Sequence, residues 1–184
     1  KLKKIDASLR VEVGDITHLQ YRDASFRYVL AFGLYHNLEH GLAHAIAETY
    51  RVIEPGGVVC ASFRADNMQT RFTDWLKKHR SGKNRSLSKQ KEFHKLNLTR
   101  AECISLFKQA GFTPQTIYPV ENMPFLYKFS FFRSKGHKQF NENMARKEGY
   151  RLSQLGTIMQ QYLMRWFPNQ FCNVYVIIAQ KSRT

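Results

Sequence analysis

Three uninterrupted apolar runs, residues 28–32, 58–61 and 174–179, constrain this 184-residue chain more than any other feature. A strand with one wet face alternates apolar and polar side chains, so a continuous run is what a strand covered on both faces requires. All three are therefore expected as central strands of a parallel or mixed sheet. Leu9, Arg10, Glu12 and Val13 instead alternate around Val11, the period-two pattern of an edge strand.

Helical signals lie between these runs. Leu42, Ala43, Ile46, Ala47 and Tyr50 recur at three- and four-residue spacing and form one apolar stripe. The stripe stops before Pro55, Gly56 and Gly57, where proline ends a helix and the glycines allow a sharp reversal into residue 58. Thr99 followed by Glu102 fits a capping box opening a helix that bears Ile104, Phe107 and Ala110 and stops at Gly111. Residues 114–120 read as a further strand. Leu152, Leu155, Ile158, Met159, Tyr162, Leu163 and Trp166 mark a helix expected to pack that stripe on a lid or on the sheet. Strands alternating with helices predict an α/β fold.

The length suits one domain, and no apolar run approaches the ~20 residues of a membrane-spanning helix. The opening Lys1, Leu2, Lys3 and Lys4 turns polar within a few residues, so no secretory signal is expected. Cys60, Cys103 and Cys172 are odd in number, far apart and set in apolar stretches, so they are expected as reduced thiols without a metal site. A cytoplasmic location follows as the expectation. The net charge of +15 is regional: residues 1–63 hold seven basic and seven acidic residues, whereas 64–100 hold eleven and three and 121–170 hold eight and three.

Gly14, Asp15, Ile16, Leu19 and Asp23 to Phe26 lead into the run 28–32, Glu48 to Gly57 join a helix end to a Pro-Gly-Gly turn, and Thr99 to Phe112 form a capped helix ending in Gln-Ala-Gly-Phe. In this order they resemble class I S-adenosylmethionine-dependent methyltransferases of the type 11-like kind. The resemblance implies a Rossmann-like sheet with helical lid insertions, here residues 64–98 and 121–170 within a single domain. It also implies that the sheet is N-terminally incomplete, because no glycine precedes Gly14 and the glycine-rich cofactor loop is missing from these residues. Strand 9–13 would then lack its neighbours. Arg27 departs from the family pattern, which often has an acidic residue there.

The implied cofactor is S-adenosylmethionine. Asp15 would accept from the adenine amino group and Ile16 would offer its backbone amide to the ring, although an Asp here also serves simply to close a turn. Phe32 and Gly33 would border the methyl donor, outside the carboxyl end of a strand. His36 or Tyr35 could take a proton from the acceptor, or His36 could only brace the following helix, for which Asn37 is the expected cap. His36, His40 and His44 share a four-residue spacing, but the apolar stripe places His40 and His44 on the solvent side, and no metal is expected.

The expected activity is methyl transfer to a small or medium-sized acceptor. One alternative is an RNA methyltransferase using Lys77, Lys78, Arg80, Lys83 and Arg85 on phosphates. Another is a non-catalytic module that binds nucleic acid or a peripheral membrane surface. The aromatic and basic cluster of residues 124–133 would suit an apolar acceptor, stacked bases or a membrane surface.

Overall fold

The computed structural model describes residues 11–80, 95–135 and 149–183, leaving Lys83 and Arg85 outside the described residues. The chain forms β1 (Phe26–Ala31), α1 (Leu42–Val52), β2 (Ile53–Ala65), α2 (Met68–Arg80), β3 (Asn97–Leu98), α3 (Arg100–Gln109), β4 (Phe112–Val120), α4 (Gln154–Trp166) and β5 (Val174–Lys181). The sheet is mixed, in the order β1, β2, β5, β4, with β3 beside the end of β2. β1 and β3 run parallel to β2, whereas β5 runs antiparallel to both β2 and β4.

One face of this sheet is closed. Ala31, Val59, Ala61, Phe63, Ile177 and Ala179 are buried against α1 and α3, which contribute Ile46, Cys103 and Phe107. Removing a large ring such as Phe63, which has no exposure, would cost ~3–5 kcal/mol. The other face is open among the described residues: Tyr28 is 64% exposed, Leu30 71% and Tyr118 52%. The prediction that residues 28–32 form a central strand is therefore corrected, because β1 is the edge of the described sheet. Its uninterrupted apolar run has a buried half and a bare half.

The edge strand predicted over 9–13 is also corrected in its described part. Residues 11–13 belong to no strand, and Val11 and Val13 are exposed. Single extended segments have no stability without a ladder of partners, and no described strand runs beside the outer edge of β1.

The Pro-Gly-Gly element sits inside β2. Phe26 pairs with Ile53 and Tyr28 already pairs with Val58, so residues 54–57 bulge out of the ladder. Gly56 takes φ +81°, and a Cβ on Gly57 would stand 2.7 Å from Ile53 Cγ2 and 2.8 Å from the Arg27 carbonyl. Glycine is required at both positions, at one by backbone angle and at the other by close approach. The predicted capping box opens α3 as expected: the Glu102 amide donates to Thr99 Oγ1, and Glu102 Oε2 accepts from the Thr99 amide at 2.7 Å. Asn37 does not cap α1, whose N-cap is Gly41 in the left-handed region.

Segment 121–135 folds into two short 3-10 turns, Phe125–Lys128 and Ser130–Phe132, which α4 covers. Phe125, Leu126 and Phe171 make a second small core here. The predicted aromatic and basic surface of 124–133 is thus largely interior, and of its rings Phe131 stands out into solvent. α4 is turned the other way from its prediction. Its buried positions are Gly156 and Gln160, whereas Leu155, Ile158, Met159, Tyr162 and Trp166 are exposed. No described helix is long and apolar enough to cross a membrane.

Candidate functional site

The parallel strands β1 and β2 end side by side, which is where ligands meet an open α/β sheet. Phe32, just beyond β1, is exposed. Gly33 follows with φ +69°, and a Cβ placed there would meet nothing within 4 Å. Its amide donates to Ser62 Oγ at 2.9 Å, so the loop after β1 is fastened to the end of β2 by a buried hydroxyl. Sequence reasoning missed Ser62, a small polar residue next to an apolar run with no distinguishing signal.

The next turn, Tyr35–Asn37, sends its side chains in different directions. Tyr35 has no exposure. Its hydroxyl lies 2.6 Å from Thr49 Oγ1, and its ring stacks on Phe63 at 5.6 Å. Burial pushes the phenol up to about 12. Tyr35 therefore packs as a core brace beneath the loop, its hydroxyl engaged by Thr49.

His36 stays near the surface, half-buried. Burial is the main influence holding its pKa below the usual imidazole value, with Lys95 and Arg64 adding repulsion against a backbone contact at Ser62 that favours charge. The ring is thus biased toward its neutral form, able to accept a proton. Nδ1 is buried with no hydrogen-bond partner. The His36 carbonyl accepts from the Leu96 amide at 2.9 Å, tying this turn to the approach to β3. His40 and His44 are exposed, and no cluster of potential metal ligands occurs among the described residues.

Asp15 and Ile16 lie in a tight turn. Asp15 Oδ1 accepts from the Thr17 amide and hydroxyl, both at 2.8 Å. These bonds, the amide one foremost, hold the carboxyl below its ordinary value. One oxygen closes the turn, and the exposed carboxylate keeps a second. Ile16 packs partly against the main core.

A latch positions this turn. Arg51, at the end of α1, donates to the carbonyls of Leu19 at 2.9 Å and Tyr21 at 2.8 Å and to Asp23 Oδ1 at 2.7 Å. It also grips both oxygens of Glu48 at 2.9 Å. Glu48 Oε2 in turn accepts from the Leu19 amide at 3.0 Å. The Arg51 hydrogen bonds draw the Glu48 carboxyl down to about 2. Glu48 and Arg51 were visible in the sequence as part of the helix end. Their three-residue spacing marks a pair, but the main-chain partners thirty residues upstream follow only from the fold.

Beyond β2, a cavity of about 810 Å³ opens between α2, the start of α3 and the turn before β5. Phe72, Trp75 and Met68 supply apolar walls, and Asp66, Arg71 and Arg100 supply charge. Arg71 is paired with Asp66 at 3.2 Å. Asn67 fixes the floor, donating to the carbonyls of Asn169 and Cys172. The volume lies in the range of small-molecule sites. Sequence reasoning assigned residues 64–98 to the acceptor side as a segment without naming these side chains.

Residues 1–61 match the family model described as a methyltransferase domain. A comparison with curated proteins finds no match. Among solved structures, a chain of the Haloferax volcanii complex between the Trm112 methyltransferase activator and a methyltransferase is 12% identical with a TM-score of 0.55, over 94% of this chain and 61% of that one. An S-adenosylmethionine-dependent methyltransferase from Methanosarcina mazei is 16% identical with a TM-score of 0.53, over 94% of this chain and 67% of its own. The [4+2]-cyclase SpnF is 13% identical with a TM-score of 0.54, over 100% and 59%. The chain thus spans about three-fifths to two-thirds of the length of these proteins. With its first third matching the methyltransferase-domain family, this chain is built on the Rossmann-like fold of the class I S-adenosylmethionine-dependent methyltransferases.

Proposed function

We propose that the protein transfers a methyl group from S-adenosylmethionine to a small or medium-sized acceptor held at the carboxyl ends of β1 and β2. The observation that carries this reading is the 810 Å³ apolar and charged cavity beyond β2; Ser62, near the end of the same strand, also pins the loop after β1. Asp15, Ile16, Phe32 and Gly33 are the residues that would hold the cofactor. Their fit is supported by the charged, exposed Asp15 carboxylate and by the open space over Gly33. When bound, S-adenosylmethionine supplies an activated methyl group. The protein's part is then orientation, with a base only where the acceptor must lose a proton. His36, kept neutral by burial, is the residue proposed for that step, and Tyr35 supports the turn from below. Phe72 and Trp75 would cover an apolar acceptor, with Arg100 at the rim.

Calorimetric titration of the natural full-length protein with S-adenosylhomocysteine tests this reading. Binding weakened at least ~tenfold by Asp15→Ala supports it. Absence of binding overturns it in favour of a non-catalytic module.

A further inference from the structure

α4 presents three sectors around its axis. Gly156, Gln160, Leu163 and Met164 face the protein. Gln154, Thr157, Gln161 and Arg165 form a polar edge. The third sector, Leu155, Ile158, Met159, Tyr162 and Trp166, faces outward, with Ile158 65% and Trp166 61% exposed. Phe131, 78% exposed, extends this surface at the helix start, because the Phe132 carbonyl accepts from the Ser153 amide at 2.8 Å. Phe167 continues it at the far end.

The helix cannot simply roll to bury this stripe. A Cβ on Gly156 would stand 2.7 Å from the Phe132 carbonyl, so only glycine allows this close contact. Gln160 is fastened to the Leu126 amide and to Glu121. The outward stripe is a fixed feature of the fold.

Basic side chains flank it among the described residues. Arg165 borders the stripe on the helix itself. Arg151 and Lys135 are exposed at its N-terminal end, where the Ser134 amide donates to the Arg151 carbonyl at 3.0 Å. No aspartate or glutamate occurs anywhere from residue 149 to 184. A rigid apolar stripe with Trp and Tyr, bordered by Arg and Lys, matches the interface of an anionic bilayer, where aromatic rings sit at the headgroup level and cations meet lipid phosphates. We propose that the outward face of α4 docks this protein on an anionic membrane surface, α4 lying in the interface plane. This inference is independent of the methyl-transfer reading.

The test is cosedimentation of the protein with vesicles of phosphatidylglycerol and phosphatidylcholine, compared with phosphatidylcholine alone. Strong binding to the anionic vesicles only, weakened by salt, is the expected result. Ile158→Ser combined with Trp166→Ser, and separately Arg151→Glu combined with Arg165→Glu, should each reduce binding at least ~tenfold. All four positions are exposed or at the helix margin, and an unchanged circular dichroism melt confirms folding. Failure of the unaltered protein to bind anionic vesicles overturns the proposal. So does full binding by either variant, or a concentration-dependent dimer that the Ile158→Ser, Trp166→Ser variant abolishes.

Discussion

Gln160 Nε2 donates to Glu121 Oε2 at 2.7 Å while Gln160 Oε1 accepts from the Leu126 amide at 3.0 Å. One buried side chain thus joins the end of β4, the first 3-10 turn and α4. Gln160→Leu would leave the Leu126 amide buried without an acceptor, at a cost of ~1–3 kcal/mol. A thermal melt should show a midpoint lowered by roughly 2–4 °C for each kcal/mol. Glu121 is already raised above the usual carboxylate range by burial, with Gln160 opposing, so the same variant should raise it further. A raised carboxyl stabilises the fold below its unfolded value and loses that contribution as pH rises through the folded one. Carboxyl titration by NMR measures this directly.

Arg51→Ala should release residues 15–23 from α1. The expected result is faster amide exchange at Leu19 and weaker S-adenosylhomocysteine binding, with the sheet intact. Glu48, drawn down to about 2, has the opposite sign to Glu121: its contribution is present above its ordinary value and is lost only as pH falls through about 2. Mild acid should therefore leave the latch closed, as exchange at pH 5 would show.

His36 is biased toward neutrality, so its stabilising contribution holds above the ordinary imidazole value and fails as pH falls through the lower folded one. If it accepts the acceptor proton, the acid limb of the rate profile lies below ~6.5. His36→Asn should remove that limb and lower turnover by ~10²-fold or more. A loss with the limb unchanged would assign His36 to bracing.

Gly57→Ala would force a methyl group against Ile53 and the Arg27 carbonyl. Overpacking of this kind costs typically ~1–3 kcal/mol. The same change at Gly33, where nothing lies within 4 Å, would leave only the backbone strain of a positive φ. Denaturant midpoints should fall for both variants, by overpacking at Gly57 and by backbone strain at Gly33.

Several elements were legible because they are local. The Thr99 and Glu102 box and the Pro-Gly-Gly element each depend on residues within a turn or two of one another, as does the helical character of α1; its expected stripe is corrected, because Ala43 and Ala47 are exposed and Ala45, Ile46, Thr49 and Val52 are buried. The placement of β5 followed from its unbroken apolar run. At the site, the chain order placed Phe32, Gly33 and His36 beyond a strand end, but it gave no sign that Tyr35 turns into the core while its neighbour stays near the surface. Ser62, Asn67 and the main-chain partners of Arg51 were illegible because their roles depend on contacts twenty-nine or more residues away.

Sequence pattern was enough for α1, α3, α4 and the runs that became β1, β2, β4 and β5, and for where two glycines must stand, whereas α2 was not foreseen and the strand expected over 9–13 does not form in its described part. Which face meets the core followed from packing between elements distant in the chain. Periodicity groups residues on a helix without orienting it, and in α4 a glycine that permits close approach and a glutamine that satisfies a buried amide outweigh the apolar stripe. The same holds for β1, whose unbroken apolar run predicted cover on both sides. Cover comes from neighbouring elements, and among the described residues only one face of β1 has them.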